Sequence, residues 1–464
     1  MSGEPRAEAQ AGSTDEATVE IRGIAAGGAG VGALPSGKTV FVHRTVPGDQ
    51  VRVRVSQERK RWARGDLRDV LRPGPGRREA PCPYYARCGG CTLEHLEYEH
   101  QLEAKASTVR EALRRVGGID VTVPPVDPSP RELRYRSRVS FTLLRTRSAG
   151  VLAGFHELER PGRIVDVDGS CLLPEEGVAR VWDALRDAWG PRARRLPAGR
   201  RLRLTLQGVS EGVVLTVKRE EGDGGSRRAK GGSKGDAGSG KLGDPEGLVR
   251  DVPGLRAVWW DAGQGEPKCL AGEPEVREVR SGVAFTVRGG SFLQVNRAAA
   301  ESLHLHVLRQ VGPPRGLRVV DAYCGVGLYG RALARHGARV TGIELDPGAV
   351  RSAREAVESG FQVLEGAVED RLEEALPADS AVLNPPRRGL APEVADGLAR
   401  EGPEKAIYVS CDPATLARDL GRMAEAYDVE EVRCFDLFPQ TAHVETVVTL
   451  RRGTAAGPTK GEGA

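Results

Sequence analysis

The sequence has little aromatic bulk and no stretch suited to a membrane. Only two methionines and eight phenylalanines occur among 464 residues, so we expect cores built from Val, Leu and Ala. No uninterrupted apolar run reaches the roughly 18 residues that a membrane-spanning helix needs, and the polar N-terminus has no apolar segment of a secretory signal. We therefore predict a cytoplasmic protein with no membrane partner. Its eight cysteines are expected to serve as ligands or nucleophiles rather than in disulfides.

The length and composition indicate a folded protein of two or three domains. Hydrophobic residues make up 39% of the chain and charged residues 28%, which is enough apolar material for real cores. Glycine is in excess, with 60 residues, and part of that excess lies between residues 220 and 247. We predict that this low-complexity stretch is a disordered insert, and that residues 1–17 and 453–464 are disordered as well.

Short alternating strands with Gly and Pro turns fill residues 18–76 and predict a small, OB-like, five-stranded barrel. In the segment QVRVRVSQE the valines fall on one face and the arginines on the other, which predicts an apolar interior and a basic outer wall. Between Arg44 and Arg78, eleven Arg or Lys residues stand against four Asp or Glu. This basic stripe indicates a polyanionic partner, most often nucleic acid, with a merely solvated surface as the alternative.

The remainder of the chain divides by its pattern into two regions. Residues 77–290 begin with a cysteine cluster and a helix that stops at Gly117–Gly118, and they continue mostly as strands. We predict a β-rich central domain there. From residue 291 to residue 452 strands alternate with helices, which predicts an α/β domain with a doubly wound, mostly parallel sheet.

A glycine-containing loop predicts a cofactor site in the α/β domain. The motif DAYCGVG (residues 321–327) follows an apolar strand and opens a helix, so its glycines let the backbone approach a ligand closely. The next strand ends in GIELD (residues 342–346), whose acidic tip is suited to ribose hydroxyls. The loop lacks the third glycine of the dinucleotide fingerprint, which favours S-adenosylmethionine over NAD. A purely structural glycine turn is the alternative.

Two further segments carry a candidate nucleophile and a candidate base. Cys411 follows a buried strand where Asp412 and Pro413 begin a helix, and a helix N-terminus favours the thiolate. Glu445 lies on the last strand, on the same face as His443, and a carboxylate that faces a cleft can remove a proton. A buried structural cysteine and an exposed edge carboxylate are the alternatives.

A cluster of cysteines predicts a metal site. Cys82, Cys88 and Cys91 lie close together on a loop ahead of a helix, and Cys171 is the best candidate for a fourth ligand. The spacing cannot distinguish zinc held by four thiolates from a [4Fe–4S] cluster. On the residues alone zinc is favoured, because structural zinc is commoner.

Taken together and in order, these motifs resemble those of the RNA uracil-5-methyltransferases, specifically the bacterial iron–sulfur enzymes that methylate C5 of a uridine in 23S rRNA. The resemblance extends over nearly the whole chain. Its motifs are SFLQVN (291–296), DAYCGVG, GIELD, NPPRRGL (384–390), YVSCDPATLARDL (408–420) and FDLFPQTAHVE (435–445). It implies that the barrel is a TRAM domain and that the α/β domain is a Rossmann-like class I methyltransferase domain.

The resemblance also implies roles for individual residues. Cys411 is the expected nucleophile, Glu445 is the expected proton acceptor, and Phe292 matches an aromatic residue that stacks near the target base. The expected contacts to S-adenosylmethionine are Gln294, Tyr323, Glu344 and Asn384. The family's metal group is a [4Fe–4S] cluster rather than zinc, and its ligands match Cys82, Cys88, Cys91 and Cys171.

The sequence departs from the family pattern at two positions. Many members carry Asp where this chain has Asn384, and the family usually has Asn where this chain has Asp412. The extra carboxylate beside Cys411 has two possible effects. It raises the pKa of the thiol, or it caps the following helix.

We therefore expect a monomeric, S-adenosylmethionine-dependent enzyme that methylates C5 of a uridine in RNA, with 23S rRNA as the substrate. A tRNA uridine C5-methyltransferase is the first alternative. The second is an RNA-binding protein that kept the fold without catalysis, and the presence of both Cys411 and Glu445 argues against it. The third is amino-group methylation, because Asn384-Pro-Pro-Arg387 is similar to a loop of adenine-N6 enzymes.

Overall fold

A computed structural model describes residues 16–146, 150–220, 242–263, 265–290, 293–355 and 358–453. Phe292, the aromatic residue predicted to lie near the target base, is outside the described residues. So are residues 1–15, 221–241 and 454–464, which hold most of the segments predicted to be disordered. In the part of the chain that the structure describes, no helix combines the length and the apolar character needed to cross a membrane.

The N-terminal region folds into a small closed barrel, as the sequence predicts. Within the described residues 16–72 its five strands are β1 (Glu16–Ile24), β2 (Gly30–Ala33), β3 (Thr39–Val42), β4 (Gln50–Glu58) and β5 (Trp62–Arg72). They close in the order β1-β2-β3-β5-β4. Val51 and Val53 of β4 are fully buried, whereas Arg52 and Arg54 are exposed. The predicted apolar interior and basic outer wall are therefore confirmed for this strand.

The start of the barrel and one of its turns differ from the prediction. β1 begins at Glu16, inside the terminus predicted to be disordered. The glycine-rich segment GGAGVG (residues 27–32) is one of the Gly turns expected between the strands, but Gly30–Ala33 forms strand β2. The reason is close packing, since a Cβ on Gly30 would lie only 2.0 Å from Oγ1 of Thr45. Glycine at this position lets two parts of the barrel approach each other, which is a role it takes inside strands as well as in turns.

A long helix ties the barrel end of the molecule to its C-terminal region. Helix α1 (Tyr98–Val116) ends at the predicted stop, where Gly117 is the C-cap and Gly118 has a φ of 67°. Lys105 of α1 is 1% exposed. Its Nζ donates to Asp436 (2.6 Å) and to the backbone carbonyl of Phe438 (3.2 Å). The buried bonds hold the segment that precedes the last strand.

The central region is β-rich, as predicted. Its elements are β6 (Arg138–Arg145), β7 (Val151–His156), β8 (Ile164–Asp166), α2 (Glu176–Ala188), a short 3-10 helix (Pro191–Ala193), β9 (Arg201–Val209), β10 (Gly212–Arg219), α3 (Pro245–Asp251), β11 (Leu255–Asp261), β12 (Lys268–Gly272), β13 (Val276–Arg280) and β14 (Val283–Val287). One sheet has the order β12-β11-β10-β9-β6-β7-β8, and β13 pairs with β14 separately. Trp182 of α2 stacks on Phe141 of β6, with ring centroids 4.3 Å apart, which fastens the helix to the sheet.

A helix begins before the end of the predicted insert. Asp244 caps α3 by accepting the N–H of Gly247 (2.9 Å), and Pro245 occupies the first turn. Leu248 is fully buried in the core of the central region. Helix α3 begins at Pro245 because it has an N-cap, a proline in its first turn and a buried leucine. The insert therefore ends before residue 247, the end that the composition predicts.

The C-terminal region is the predicted α/β domain. Its elements are α4 (Arg297–Val311), β15 (Arg318–Ala322), α5 (Leu328–Arg335), β16 (Arg339–Glu344), α6 (Pro347–Arg354), β17 (Phe361–Glu365), α7 (Val368–Ala375), β18 (Ser380–Leu383), α8 (Pro392–Glu401), β19 (Lys405–Ser410), α9 (Pro413–Met423), β20 (Tyr427–Phe435) and β21 (Glu445–Arg452). The strand order is β17-β16-β15-β18-β19-β21-β20. The strands from β17 to β19 are parallel, and β21 is antiparallel to both its neighbours. Two separate apolar clusters pack against this sheet, so the mostly parallel, doubly wound architecture is confirmed.

Candidate active site and cysteine cavity

Five of the predicted site residues come together at one edge of the α/β sheet. Each lies at the end of a different strand: Glu344 (β16), Tyr323 (β15), Asn384 (β18), Cys411 (β19) and Glu445 (β21). These strands are consecutive neighbours in the sheet. Because β21 runs antiparallel to the others, its first residue lies at the edge where the others end. Open α/β sheets bind their ligands at this carboxyl edge.

The pairing of β19 with β21 sets the candidate nucleophile beside the candidate base. Ser410, the last residue of β19, is opposite Thr446 of β21. The next positions on the two strands are Cys411 and Glu445, and neighbouring strands lie about 5 Å apart. Glu445 is 3% exposed, whereas Cys411 is partly accessible. The pair therefore combines a buried carboxyl group with a thiol that a ligand can reach.

Burial dominates the protonation of this pair. It raises the pKa of Glu445 to about 8, and the positive charge of Arg387 opposes the rise. Burial also raises the pKa of the Cys411 thiol to about 11, helped by the charges of Glu445 and Asp412 and opposed by Arg387. The expected stabilisation of the thiolate by the helix N-terminus is thus outweighed by burial. Both groups are mainly protonated at neutral pH, and the pair must lose a proton before the thiol can attack.

Asp412 has both of the effects that the sequence left open. Its Oδ1 accepts the backbone N–H groups of Ala414 (3.0 Å) and Thr415 (2.9 Å), which is the geometry of an N-cap for α9. Its charge also raises the pKa of Cys411, although burial contributes more. The cap fixes the chain immediately after the candidate nucleophile, as β19 fixes it immediately before.

The glycine loop leaves room for a ligand beside a carboxylate. Tyr323 and Gly325 have φ values of 62° and 57°, so the backbone turns sharply after β15. A Cβ built on Gly325 would meet nothing within 4 Å. Oε2 of Glu344 accepts the N–H of Gly325 (2.8 Å), and its Oε1 accepts the N–H of Asp346 (2.7 Å). Open space next to a fixed acceptor fits the ribose of a nucleoside such as S-adenosylmethionine.

Of the two other predicted cofactor contacts, Gln294 follows Leu293, which belongs to the same buried cluster as Val326 of the loop. Asn384 is half-buried and donates its backbone N–H to the carbonyl of Ala322 (3.3 Å), immediately before the loop. The structure therefore places Tyr323, Glu344 and Asn384 at residues 323–327 or beside them, and Gln294 follows a residue of the cluster that includes Val326.

Sequence reasoning missed two charged residues of this site. Arg387 appears in the sequence analysis within the family motif NPPRRGL and within a loop similar to that of amino-group methyltransferases, but without an assigned role, and its charge acts on both Cys411 and Glu445. Asp321 is fully buried, its Oδ2 accepts the N–H of Gly330 (2.8 Å), and burial raises its pKa to about 7. Asp321 could have been identified from the sequence, because it is the first residue of the motif DAYCGVG. No local signal links Arg387 to the last strand.

The four predicted ligands of a metal group line a single cavity. Cys82, Cys88 and Cys91 come from the loop before α1, and Cys171 joins them from the turn after β8. All are free thiols, and burial raises the pKa of each one. Within the described residues, no set of three or more His, Cys, Asp or Glu side chains already has the arrangement of a metal site. The donor set, four thiols around one cavity, nevertheless fits a group held by four thiolates.

The loop that carries three of these cysteines bridges the barrel and the central sheet. The N–H of Gly89 donates to the carbonyl of His156 (2.9 Å), and the N–H of Leu158 donates to the carbonyl of Arg87 (3.0 Å). On the barrel side, Arg44 donates to the carbonyl of Tyr85 (3.3 Å). A group bound by the four cysteines would therefore brace the contact between these two parts of the molecule.

Three segments of the chain match known protein families. Residues 360–453 match a family model described as tRNA (uracil-5-)-methyltransferase, and residues 8–67 match the TRAM domain. Residues 320–381 match a methyltransferase domain. The matches cover parts of the barrel and of the α/β domain, including Cys411, Glu445 and the glycine loop.

Relatives of nearly full length extend the similarity to the central region. An uncharacterized RNA methyltransferase of Gloeobacter violaceus is 34% identical over 451 residues, which is 94% of this chain and 96% of that protein. One from Nostoc is 32% identical and covers 93% of this chain and 95% of its own length. The crystal structure of Pyrococcus abyssi tRNA (uracil-54, C5)-methyltransferase, in complex with S-adenosyl-L-homocysteine, is 26% identical. It has a TM-score of 0.67 and covers 93% of this chain and 100% of that chain.

Proposed function

Because this chain belongs to the family of S-adenosylmethionine-dependent RNA uracil-5-methyltransferases, we propose that it methylates C5 of a uridine through a covalent bond between Cys411 and C6 of the base. The observation that carries this proposal is the adjacency of Cys411 and the buried Glu445 at the carboxyl edge of the sheet. The proposed contacts to the cofactor are Gln294, Tyr323, Glu344 and Asn384, and the support for them is the position of Tyr323, Glu344 and Asn384 at the neighbouring loop.

The residue types at this edge suit the chemistry of uracil. C5 is a poor nucleophile, but addition of a thiolate to C6 turns C5 into an enolate-like carbon that can attack a methyl group. Cys411 forms the S–C6 bond after losing its proton, and that bond breaks again when the product is released. Glu445, as a carboxylate, takes the C5 proton after the methyl group has been added. S-adenosylmethionine, when bound, supplies the methyl group.

Arg387 supports this mechanism by lowering the pKa of both reacting groups. Burial alone would leave Cys411 and Glu445 protonated and inert, since each role requires the deprotonated form. A cation at this site favours the thiolate and the carboxylate alike. Amino-group methylation gives no reason for a thiol, a carboxyl group and a cation to meet at one edge.

The proposed substrate is 23S rRNA, with tRNA as the second candidate. The four-cysteine cavity and the barrel, together with the family resemblance, support rRNA. The Pyrococcus abyssi protein is a tRNA methyltransferase, and its whole length corresponds to 93% of this chain, which favours tRNA. Because that tRNA enzyme corresponds to this chain over its whole length, the presence of a barrel and a central region does not exclude tRNA as the substrate.

Methyl transfer to purified RNA separates these possibilities. Wild-type protein and labelled S-adenosylmethionine are incubated with unmodified 23S rRNA or with unmodified tRNA, and the methylated nucleoside is mapped by mass spectrometry. Formation of 5-methyluridine in the rRNA supports the proposal, and its formation only in tRNA replaces rRNA by the second candidate. A methyl group found on adenine, or on neither RNA, contradicts uridine C5 methylation. The Cys411→Ala protein is the control for contaminating activity.

We also propose that the four cavity cysteines hold a [4Fe–4S] cluster, with zinc as the alternative. The support is the convergence of Cys82, Cys88, Cys91 and Cys171 on one cavity. Protein purified without oxygen should absorb broadly in the visible range and contain about four irons per chain. Cys171→Ser should lose both signals, whereas Cys269→Ser, which alters a cysteine outside the cavity, should keep them. A colourless protein with a single tightly bound zinc would replace the cluster by zinc and leave the methyltransferase proposal intact.

A further inference from the structure

A groove between the barrel and the central sheet has no part in the reaction proposed above. This barrel groove encloses about 440 Å³, which lies within the roughly 300 to 1,000 Å³ typical of ligand pockets. One wall is the outer face of the barrel and includes Phe41, Trp62 and Arg64. The other wall includes Leu158 and Pro161 from the turn between β7 and β8, which hydrogen bonds fix to the cysteine loop.

The barrel wall of the groove carries two aromatic rings and a guanidinium group close to one of them. Phe41 of β3 and Trp62 of β5 lie on the outer face because side chains alternate along a strand, and both are half-buried. Their ring centroids are 6.3 Å apart and their planes form an angle of 73°. The guanidinium of Arg64 lies 5.7 Å from the centroid of Trp62. A π surface beside a guanidinium suits a flat, electron-rich ring attached to an anion.

The charges around the groove favour an anionic occupant. Its two carboxylates, Asp66 and Glu159, are each paired with an arginine, at 3.1 Å and 3.4 Å. Arg64 is exposed and has no ion pair among the residues that the structure describes. The hairpin tip next to it, residues 59–61, reads Arg-Lys-Arg. The positive charge of this wall is therefore left available for phosphate groups.

One end of the groove reaches the segment that leads to the candidate base. Gly27 lines the groove. A Cβ on the next residue, Gly28, would lie 3.5 Å from Cβ of Ala442, which precedes Glu445 by three positions. A strand of RNA seated in the groove would thus continue towards the catalytic edge of the α/β sheet.

We propose that the barrel groove binds an unpaired nucleobase of the RNA substrate, distinct from the target uridine, by stacking it on Trp62 while Arg64 contacts an adjacent phosphate. The proposal rests on the proposed function, because it takes the substrate to be RNA. Stacking platforms bordered by basic side chains are how proteins hold single strands without reading their sequence. The groove would hold the RNA while the target uridine is turned out of its stack.

Two probes of equal charge test the proposal. One is a short fluorescent oligouridylate, and the other is an abasic chain with the same number of phosphates. Trp62→Ala should weaken binding of the oligouridylate by about fivefold or more, because base stacking is lost, and should leave binding of the abasic chain unchanged. Trp62→Phe should restore most of the affinity. Arg64→Ala should weaken both probes and lower the salt dependence of binding by about one phosphate contact.

Trp260 provides a matched control, since Arg219 lies 5.6 Å from its ring on the central sheet, outside the groove. Trp260→Ala should bind both probes as the wild type does. Photocrosslinking of wild-type protein to an oligouridylate that contains 4-thiouridine does not depend on any variant folding, and it should label the peptide of Trp62 or of Phe41.

The inference is overturned if Trp62→Ala binds the oligouridylate as tightly as wild type, if both probes lose affinity equally, or if the crosslink falls elsewhere. Methyl transfer is measured in parallel, so that its outcome is separate. If wild type binds the oligouridylate through Trp62 but does not methylate uridine, the proposed function fails and the groove assignment stands. If it methylates uridine and Trp62 has no effect, only the groove assignment fails.

Discussion

The proposed catalytic edge, where Cys411 and Glu445 lie, and the four-cysteine cavity are two sulfur sites with different neighbours. Burial raises the pKa of Cys411 to about 11 and that of Cys171 to about 12, so burial alone does not distinguish them. At the catalytic edge a carboxyl group and the cation Arg387 act on a single thiol. In the cavity each thiol has other thiols as neighbours, and Glu94 is the charged side chain among the described lining residues.

This difference indicates what each site can do. A single thiol beside a cation and a base can lose its proton and then attack a substrate as a thiolate, once in each reaction cycle. Four thiols in one cavity repel each other as thiolates, so they become charged together only when a metal group neutralises them. The first arrangement is suited to turnover and the second to permanent binding.

The sharpest test of the comparison is removal of one sulfur from each site. Cys411→Ala should abolish methylation and covalent capture of RNA while cofactor binding, measured by calorimetry, remains. Cys171→Ser should lose the bound metal and melt at a lower temperature but still form the covalent adduct when folded. Cys269→Ser is the control for both. Methylation by Cys411→Ala would remove the covalent mechanism and make amino-group methylation the leading alternative.

The next largest effect is expected at the base. Glu445→Gln should lower turnover by about 100-fold or more, the usual contribution of a positioned base. In the proposed mechanism addition and methyl transfer precede proton removal, so a denaturation-resistant protein–RNA species that carries one labelled methyl group should accumulate. RNA that contains 5-fluorouridine should trap the same species on wild type, because fluorine cannot leave as a proton. Turnover near the wild-type rate would mean that another group, with Asp412 and His443 the first to test, is the base.

Glu445 should also make stability depend on pH. Folding raises its pKa from 4.5 to about 8, so the folded state holds the proton more tightly than the unfolded state. The stabilisation is full below about pH 4.5 and is lost as the pH rises through about 8. Glutamine cannot ionise, and the melting temperature of Glu445→Gln relative to wild type should therefore increase from pH 5 to pH 9. A difference that is constant with pH would contradict the raised pKa.

Local pattern was enough to predict the main architecture and several site residues. Alternating strands and helices predicted the parallel sheet. Residues that follow parallel strands lie at the same carboxyl edge, which is enough to bring Tyr323, Glu344 and Cys411 to one side of the sheet. The register of β19 against β21 is a long-range property, and only the fold shows that it brings Glu445 next to Cys411. The family resemblance implied the roles of the two residues but not this register.

The sequence could not predict features that depend on distant contacts. A lysine is normally exposed, but the ammonium group of Lys105 is buried against Asp436 because α1 packs under the last loop. Gly30 looks like part of a turn, and close packing against Thr45 makes it part of a strand. Arg387 acts on Glu445 across the sheet edge, a relation that no local spacing encodes.

A smaller effect is expected when the charge of Arg387 is removed, because that charge acts on Cys411 and Glu445. Arg387 lowers the pKa of Cys411 and of Glu445, so Arg387→Gln should raise both. The pH–rate profile should then move to higher pH, with a rate a few-fold lower at neutral pH that recovers under alkaline conditions, and with metal content unchanged. Arg388→Gln is the matched control, because Arg388 pairs with Glu369 (3.9 Å). An unshifted profile would show that Arg387 has no part in deprotonation.

The smallest predicted effect concerns Asp412, whose two roles can be separated by two substitutions. Asparagine caps a helix about as well as aspartate, so Asp412→Asn should change the free energy of unfolding by less than about 1 kcal/mol, the usual size of a charge–dipole interaction at a helix terminus. It removes the charge that raises the pKa of Cys411, and the pH–rate profile should therefore move slightly to lower pH. Asp412→Ala also loses the bonds to Ala414 and Thr415 and should cost about 1 kcal/mol in thermal unfolding. If the two variants shift the profile equally but only alanine lowers the melting temperature, charge and cap act independently; an unshifted profile in both would leave Asp412 as a cap alone.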